Sequence, residues 1–201
     1  NERSKEMFKN PYAQFVKIET DFRKTWTLTP HSQLIGHVSG GIIWAYGNSE
    51  RAPYSEQFYV GGANSIRAFT VRSIGPGAYY TDQSRLSYMD QTGDIKLQAN
   101  LEYRARLFGN LYGAAFLDAG NIWAMRDDGY RANSKFKIKN LADQMAMGTG
   151  IGLRYDLEFF VLRVDWGVGI HLPYETGKRG YYNIPHFKDG QSLHLAIGYP
   201  F

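Results

Sequence analysis

Apolar and polar residues alternate with a period of two along most of the chain, and the pattern predicts seven strands. The first runs from about Tyr12 to Trp26, with Val16, Ile18, Thr20 and Phe22 on one face and Lys17, Glu19, Asp21 and Arg23 on the other. The second, about Gln33 to Gly47, sets Leu34, Val38, Ile42, Trp44 and Tyr46 against His37, Ser39 and Gly41. From Ile95 onward, Leu97, Ala99, Leu101, Tyr103 and Ala105 alternate with Lys96, Gln98, Asn100, Glu102, Arg104 and Arg106, which no helix satisfies. Leu111 to Ala124 is apolar on both faces except for Asp118. About Gln144 to Leu157, Met145, Met147, Thr149, Ile151, Leu153 and Tyr155 face away from Gly148, Gly150, Gly152 and Arg154. Phe159 to Leu172 places Phe160, Leu162, Val164, Trp166 and Val168 opposite Arg163, Asp165 and Gly167. The last segment, from Ser192 to Phe201, puts Leu193, Leu195, Ile197, Tyr199 and Phe201 on one side.

The connections alternate too. Those at Thr29-Pro30-His31, Phe108-Gly109-Asn110 and Asp156-Leu157-Glu158 are tight, whereas 48–94, 125–143 and 173–191 are long and rich in Gly, Asp, Asn and Lys. Antiparallel strands of about ten to fifteen residues, with tight turns on one side and long polar loops on the other, match an outer-membrane β-barrel. A soluble sandwich uses strands of about five or six residues with a polar face toward water. A tilted strand needs about nine to eleven to cross a bilayer. The expected fold is therefore all-β: about seven antiparallel strands forming the C-terminal part of a transmembrane β-barrel of the bacterial outer membrane. Bacterial barrels close with an even number of strands, from about eight upward, so the others are expected upstream.

Composition agrees with this reading. Aromatics make up 15% of the 201 residues, with 15 Tyr, 12 Phe and 22 Gly, while the mean hydropathy stays negative. That combination suits strands that show lipid on one face and a lumen on the other. No apolar run is long enough for a transmembrane helix. The formal charge of +4 is spread along the chain without the basic stripe of a nucleic-acid binder. The absence of Cys excludes disulfides, thiolate catalysis and Cys-ligated metals. His31, His37, His171, His186 and His194 lack metal-ligand spacing, and neither metal nor cofactor is expected. The opening NERSKEMFKN, with no initiator Met or signal peptide, reads as a cut loop, so the chain is expected to be the C-terminal portion of something longer.

The connection from 48 to 94 is far longer than a hairpin loop, yet FYVGGANSIRAF at 58–69 is too apolar for a solvated tether. Phe58, Tyr59, Val60, Ile66, Phe69, Val71 and Ile74 are expected to fold back into the lumen, with Gly61 and Gly62 allowing a sharp bend. Arg67 would be buried with them, which is costly unless it is paired. Glu102 is the sole acid on the polar face of its strand and Asp118 the sole charge in the next, so both are predicted to meet Arg67, whose fork suits carboxylates.

FYVGGANSIRAF with SIGPGAYY resembles the lumenal-loop motif of the BamA/TamA family of outer-membrane assembly barrels. AAFLDAGNIW at 114–123 resembles that family's aspartate-bearing strand, LEY at 101–103 stands where the family has the acid of the preceding strand, and HLAIGYPF resembles its closing strand. The resemblance covers essentially the whole chain in order, and the RAF and GPG forms resemble barrels of Bacteroidetes-type bacteria. It implies a barrel of about sixteen strands when complete, with these seven the last, and periplasmic POTRA domains outside this chain. It also implies the contact of Arg67 with Glu102 and Asp118. Ala68 occupies the position of the family's glycine, so the loop tip is expected to sit differently.

What the resemblance implies is an assembly, insertion or translocation factor without substrate chemistry. Its closing strand, with Leu195, Ile197, Gly198, Tyr199 and Phe201, would form a seam that templates client strands. The implied partners are outer-membrane lipids, unfolded outer-membrane client proteins and periplasmic or outer-membrane accessory proteins. Pro200 suits a frayed seam and an ordinary strand end equally, and Arg67 suits a mechanistic role and a purely structural one. Two other classes stay open. One is a passive transport or pore barrel constricted by the long loop; the other is an enzyme barrel, for which Ser192 and His194 are the nearest approach to a catalytic pair. Gly148, Gly150 and Gly152 lack the lysine and helix of a phosphate loop and are read as room for the folded-in loop. Trp26, Trp44, Trp123 and Trp166 are predicted at the membrane interfaces.

Overall fold

The alternating segments assemble into one sheet. The computed structural model describes residues 6–7, 10–81 and 87–201, so most of NERSKEMFKN and part of the long connection, 82–86, lie outside the described residues. A two-residue strand β1 (Glu6–Met7) pairs with β2 (Asn10–Pro11). Seven longer strands follow: β3 (Phe15–Thr29), β4 (Ser32–Ala45), β5 (Ile95–Phe108), β6 (Leu111–Trp123), β7 (Ala146–Asp156), β8 (Val161–His171) and β9 (Gln191–Ile197). They pair in chain order, every neighbour antiparallel, leaving β3 and β9 as the two edges. The expected all-β architecture is present, with the largest shifts of boundary in the first and last of the seven strands. β3 starts at Phe15 and runs to Thr29, and β9 stops at Ile197 instead of continuing to Phe201. Gly198, at φ 88°, takes a backbone conformation that side-chain-bearing residues rarely adopt, and it turns the chain out of the ladder.

One face of the sheet is apolar and uncovered. Val16, Ile18, Phe22 and Trp26 on β3, Val38, Ile42 and Trp44 on β4, Ile151 and Leu153 on β7, and Leu193, Leu195 and Ile197 on β9 are all exposed. A continuous apolar face of this extent suits hydrocarbon rather than water. Trp123 departs from its predicted interface position, because it is fully buried. The connection after β6 doubles back through a parallel bridge between Ala124 and Lys135. That lays Phe136 edge-on against the indole at 5.4 Å, and the indole N–H donates to Gln144 Oε1 at 2.9 Å.

The other face is covered by the connection between β4 and β5. Phe58, Val60, Ile66, Ala68, Phe69 and Ile74 are buried there with Ile43, Ile122, Ala146 and Ile184. Full burial of such side chains contributes about 1.5–3 kcal/mol apiece. The loop carries its own backbone bonds: Gly62 N–H donates to Phe69 at 2.8 Å, Arg72 N–H to Val60 at 3.1 Å, and Phe58 exchanges two bonds with Gly93. Tyr59 and Val71 depart from the expected burial and are exposed; the Tyr59 ring lies 4.5 Å from the Arg72 guanidinium instead.

Glycines on the strands let the loop approach this closely. A Cβ on Gly148 would fall 2.1 Å from the Ala68 methyl, and one on Gly167 would fall 2.4 Å from the Arg67 carbonyl oxygen. The reading of the β7 glycines as room for the loop applies to Gly148 alone. Gly150 admits the Phe116 ring, and Gly152 admits the Asp165 and Arg154 side chains. Gly167→Ala is therefore expected to destabilise the folded loop by about 1–3 kcal/mol through overpacking. Limited proteolysis checks this: cleavage within 58–74 should rise while the strands stay protected.

Candidate functional site

Antiparallel register brings the site's acids to one place on the inner face. Asn100 of β5 lies directly opposite Asp118 of β6, and Glu102 lies opposite Phe116. The loop delivers Arg67 onto them. Its Nε donates to Asp118 Oδ2 and its Nη2 to Asp118 Oδ1, both at 2.8 Å, while its Nη1 donates to Glu102 Oε2. The Arg67 backbone N–H also reaches Asp118 Oδ2 at 3.0 Å. Arg67, Glu102 and Asp118 are fully buried, and the Phe116 ring centroid lies 3.7 Å from the Arg67 Cζ. A side-on fork with two aligned bonds is the strong geometry for guanidinium and carboxylate, here removed from competing water.

Neutral side chains complete the cradle. Asn100 Nδ2 donates to Asp118 Oδ1 and to the Ser65 carbonyl, both at 2.8 Å. The Ser65 hydroxyl donates to Gln98 Oε1 at 2.7 Å and accepts the Gly61 N–H at 3.1 Å. The bend at Gly61 and Gly62, both with positive φ, is thus pinned to β5 by hydrogen bonds. Ile66 and Phe69 are buried beside it. Ala68 is not among the residues with positive φ, so its methyl fits an ordinary backbone and seats against β7 and β8.

The cluster extends beyond the three residues named from sequence. Arg154 and Arg163 stand directly opposite each other on β7 and β8, a pairing of like charges that is unfavourable by itself. Asp165 resolves it by accepting Arg154 Nη1 at 2.5 Å and Arg163 Nη1 at 2.9 Å. Arg154 Nη2 continues to Glu102 Oε2 at 3.1 Å, and Arg104 grips Glu102 Oε1 at 2.7 Å. Four arginines thus surround three carboxylates, leaving one positive charge in excess. Arg163 also reaches the loop tip, donating to the Ala63 carbonyl at 2.6 Å and to Asn64 Oδ1 at 2.5 Å. The signal for these partners was the short turn between β7 and β8, which fixes the register and so sets Arg154 against Arg163.

Of the residues assigned to the closing strand, Leu195 and Ile197 lie on β9 with exposed side chains. Gly198, Tyr199 and Phe201 lie beyond it. Tyr199 and Phe201 turn toward the cluster instead of continuing the apolar face, with the Tyr199 ring 4.0 Å from the Arg104 Cζ and the Phe201 ring stacked on His37 at 5.0 Å. Ser192 and His194 are 3.0 Å apart, and the same His194 Nε2 contacts the Arg67 carbonyl oxygen at 2.9 Å. This histidine is engaged by the loop.

Removing Asp165 leaves two buried arginines face to face. Asp165→Asn is expected to cost about 3–5 kcal/mol, the range for breaking a buried ion pair by deleting one partner. Urea unfolding in detergent measures it, and the same change at exposed Asp189 should be nearly silent.

Comparison with known proteins places the chain in a family. The Omp85 superfamily domain matches residues 8–198. The human sorting and assembly machinery component 50 homolog is 28% identical over 176 residues, covering 83% of this chain and 35% of that protein. The outer membrane protein assembly factor BamA of Neisseria meningitidis is 29% identical over 125 residues, covering 59% of this chain and 15% of that protein. Among solved structures, BamA from Haemophilus ducreyi lacking POTRA domains 1-3 superposes with a TM-score of 0.62 at 18% identity, over 92% of this chain and 35% of that one. It shares the fold. The chain thus spans about a third or less of the length of these relatives. By its strands, its exposed apolar face and its matched domain, the chain belongs to the Omp85 superfamily and is integral to the bacterial outer membrane.

Proposed function

We propose that this chain is part of a barrel that assembles, inserts or translocates outer-membrane proteins, and that the edge of β9 pairs with strands of its clients. The supporting relatives are named for assembly: a sorting and assembly machinery component and an outer membrane protein assembly factor. The observation that carries the finer reading is the edge itself. β9 holds seven residues where its neighbour β8 holds eleven, and the chain leaves the ladder at Gly198. A short edge strand presents backbone N–H and C=O groups that another chain can complete, which is strand addition.

In this reading the seven strands are the closing part of a larger barrel, with further strands and POTRA domains elsewhere in the protein. Its surroundings are outer-membrane lipids along the apolar face, unfolded clients at the edge, and accessory proteins on the side of the tight turns. A passive pore finds less support, since Phe58, Val60, Ile66 and Phe69 fill the inner face with buried side chains.

Photocrosslinking tests the edge. A benzoylphenylalanine at Leu195 in the full-length protein is expected to capture newly made outer-membrane proteins, and one at Leu117, mid-sheet on β6, is not. Equal capture at both positions sinks the templating. In a depletion strain, Arg67→Ala is expected to lower outer-membrane protein levels, with Asp118→Asn acting more mildly; full complementation by both would contradict the proposal.

A further inference from the structure

We propose that the stretch from His194 to Phe201 is a latch that ties the lumenal loop to the β9 edge, so that the loop and this edge loosen together. Its bearing on client handling rests on the proposed function; the latch itself rests on contacts alone. β8 begins at Val161, whose carbonyl accepts the Gly198 N–H at 2.8 Å. Past that point β8 offers no further pairing, and the chain finds other partners for its groups. It finds them on the charge cluster.

Three of the four clustered arginines are touched by this stretch. Arg163 donates from Nε to the Gly198 carbonyl at 3.1 Å while its Nη1 and Nη2 hold Ala63 and Asn64. One guanidinium therefore joins the loop tip to the end of β9. Arg104, which grips Glu102, lies under the Tyr199 ring. Arg67 has the Phe201 ring centroid 5.4 Å from its Cζ, in addition to Phe116. A desolvated cation between aromatic rings gains from their quadrupoles what water would otherwise supply. This answers the excess of positive charge, for which the described residues supply no fourth carboxylate within the cluster.

His194 adds a direct bond. A ring nitrogen 2.9 Å from a carbonyl oxygen must carry the proton, so Nε2 donates to Arg67 and the Ser192 hydroxyl is left as a second acceptor on the same N–H. His37, stacked on Phe201 within 6° of parallel, is itself fixed by Asn100 at 3.0 Å and Asp21 at 2.8 Å. Asn100 in turn holds Asp118 and the Ser65 carbonyl. The slot for Phe201 and the cradle for Arg67 are built from the same side chains.

Coupling between two elements is reciprocal, so each must loosen when the other does. Hydrogen–deuterium exchange on the purified full-length protein in nanodiscs reads both sides. Phe201→Leu, which keeps apolar volume and removes the ring, is expected to speed exchange of the Gly62, Arg67 and Phe69 amides roughly tenfold; Phe201→Tyr should leave them near wild type. From the other side, Asn64→Ala removes one Arg163 contact on the loop and is expected to speed exchange of amides 191–198 several-fold. If Phe201→Leu fails to fold, the Asn64→Ala arm decides alone. Exchange that changes only on the mutated side overturns the latch. Since the readout is local opening, a loss of client assembly with unchanged exchange contradicts the latch and spares the functional proposal, and the converse separates them equally.

Discussion

The Arg67 guanidinium sits where water does not reach, and every donor on it must be answered by the protein. A buried charge without partners costs several kcal/mol, more than most single contacts return. Asp118 answers with a two-bond fork and Glu102 with a third bond. Those carboxylates are themselves buried on β5 and β6 and need cations in turn: Asp118 takes the Arg67 fork, and Glu102 shares Arg67 with Arg104 and Arg154. This mutual requirement helps to fix where the 46–94 connection lies on the sheet, because Asp118 and Glu102 meet the Arg67 fork there.

From that fixed point the rest of the inner face follows. The loop must lie flush with the strands for Arg67 to reach the acids, and the strands supply glycine where its backbone presses, at Gly148 and Gly167. Glu102 is shared with Arg154 and Arg104, and Arg154 faces Arg163 across the ladder, so Asp165 is drawn into the same network. With cations outnumbering anions, aromatic faces take part as well: Phe116 from β6 and, from beyond β9, Phe201. A site that began as one ion pair thereby spans β5 to β9.

Much of this was legible in the amino-acid order because period-two alternation leaves little freedom about which side chains share a face. Glu102 and Asp118 could be paired with Arg67 since each was the sole acid on its segment, and burial of a lone arginine demands an acid. Arg154, Arg163 and Asp165 were visible as polar positions, but their meeting depends on the exact register across a turn, which a one-residue slip would reverse. Tyr199 and Phe201 continued the alternation on paper. Only the start of β8 at Val161, a fact of tertiary pairing, shows why the chain turns inward at Gly198. Trp123 was misplaced for a similar reason, since the segment covering it is a loop whose course leaves no periodic mark.

The functional proposal stands on this arrangement: a loop locked to the middle of a membrane-embedded sheet, a short edge beside it, and a shared set of arginines joining the two. Everything depends on whether Arg67 and Asp118 are energetically one unit. A double-mutant cycle with Arg67→Met, Asp118→Asn and the pair, read by urea unfolding in detergent, measures that directly. The account requires a coupling at or near the top of the range of about 0.5–3 kcal/mol seen for interacting residues, with the double variant far less damaged than the sum of the singles. Additivity within about 0.5 kcal/mol would contradict it.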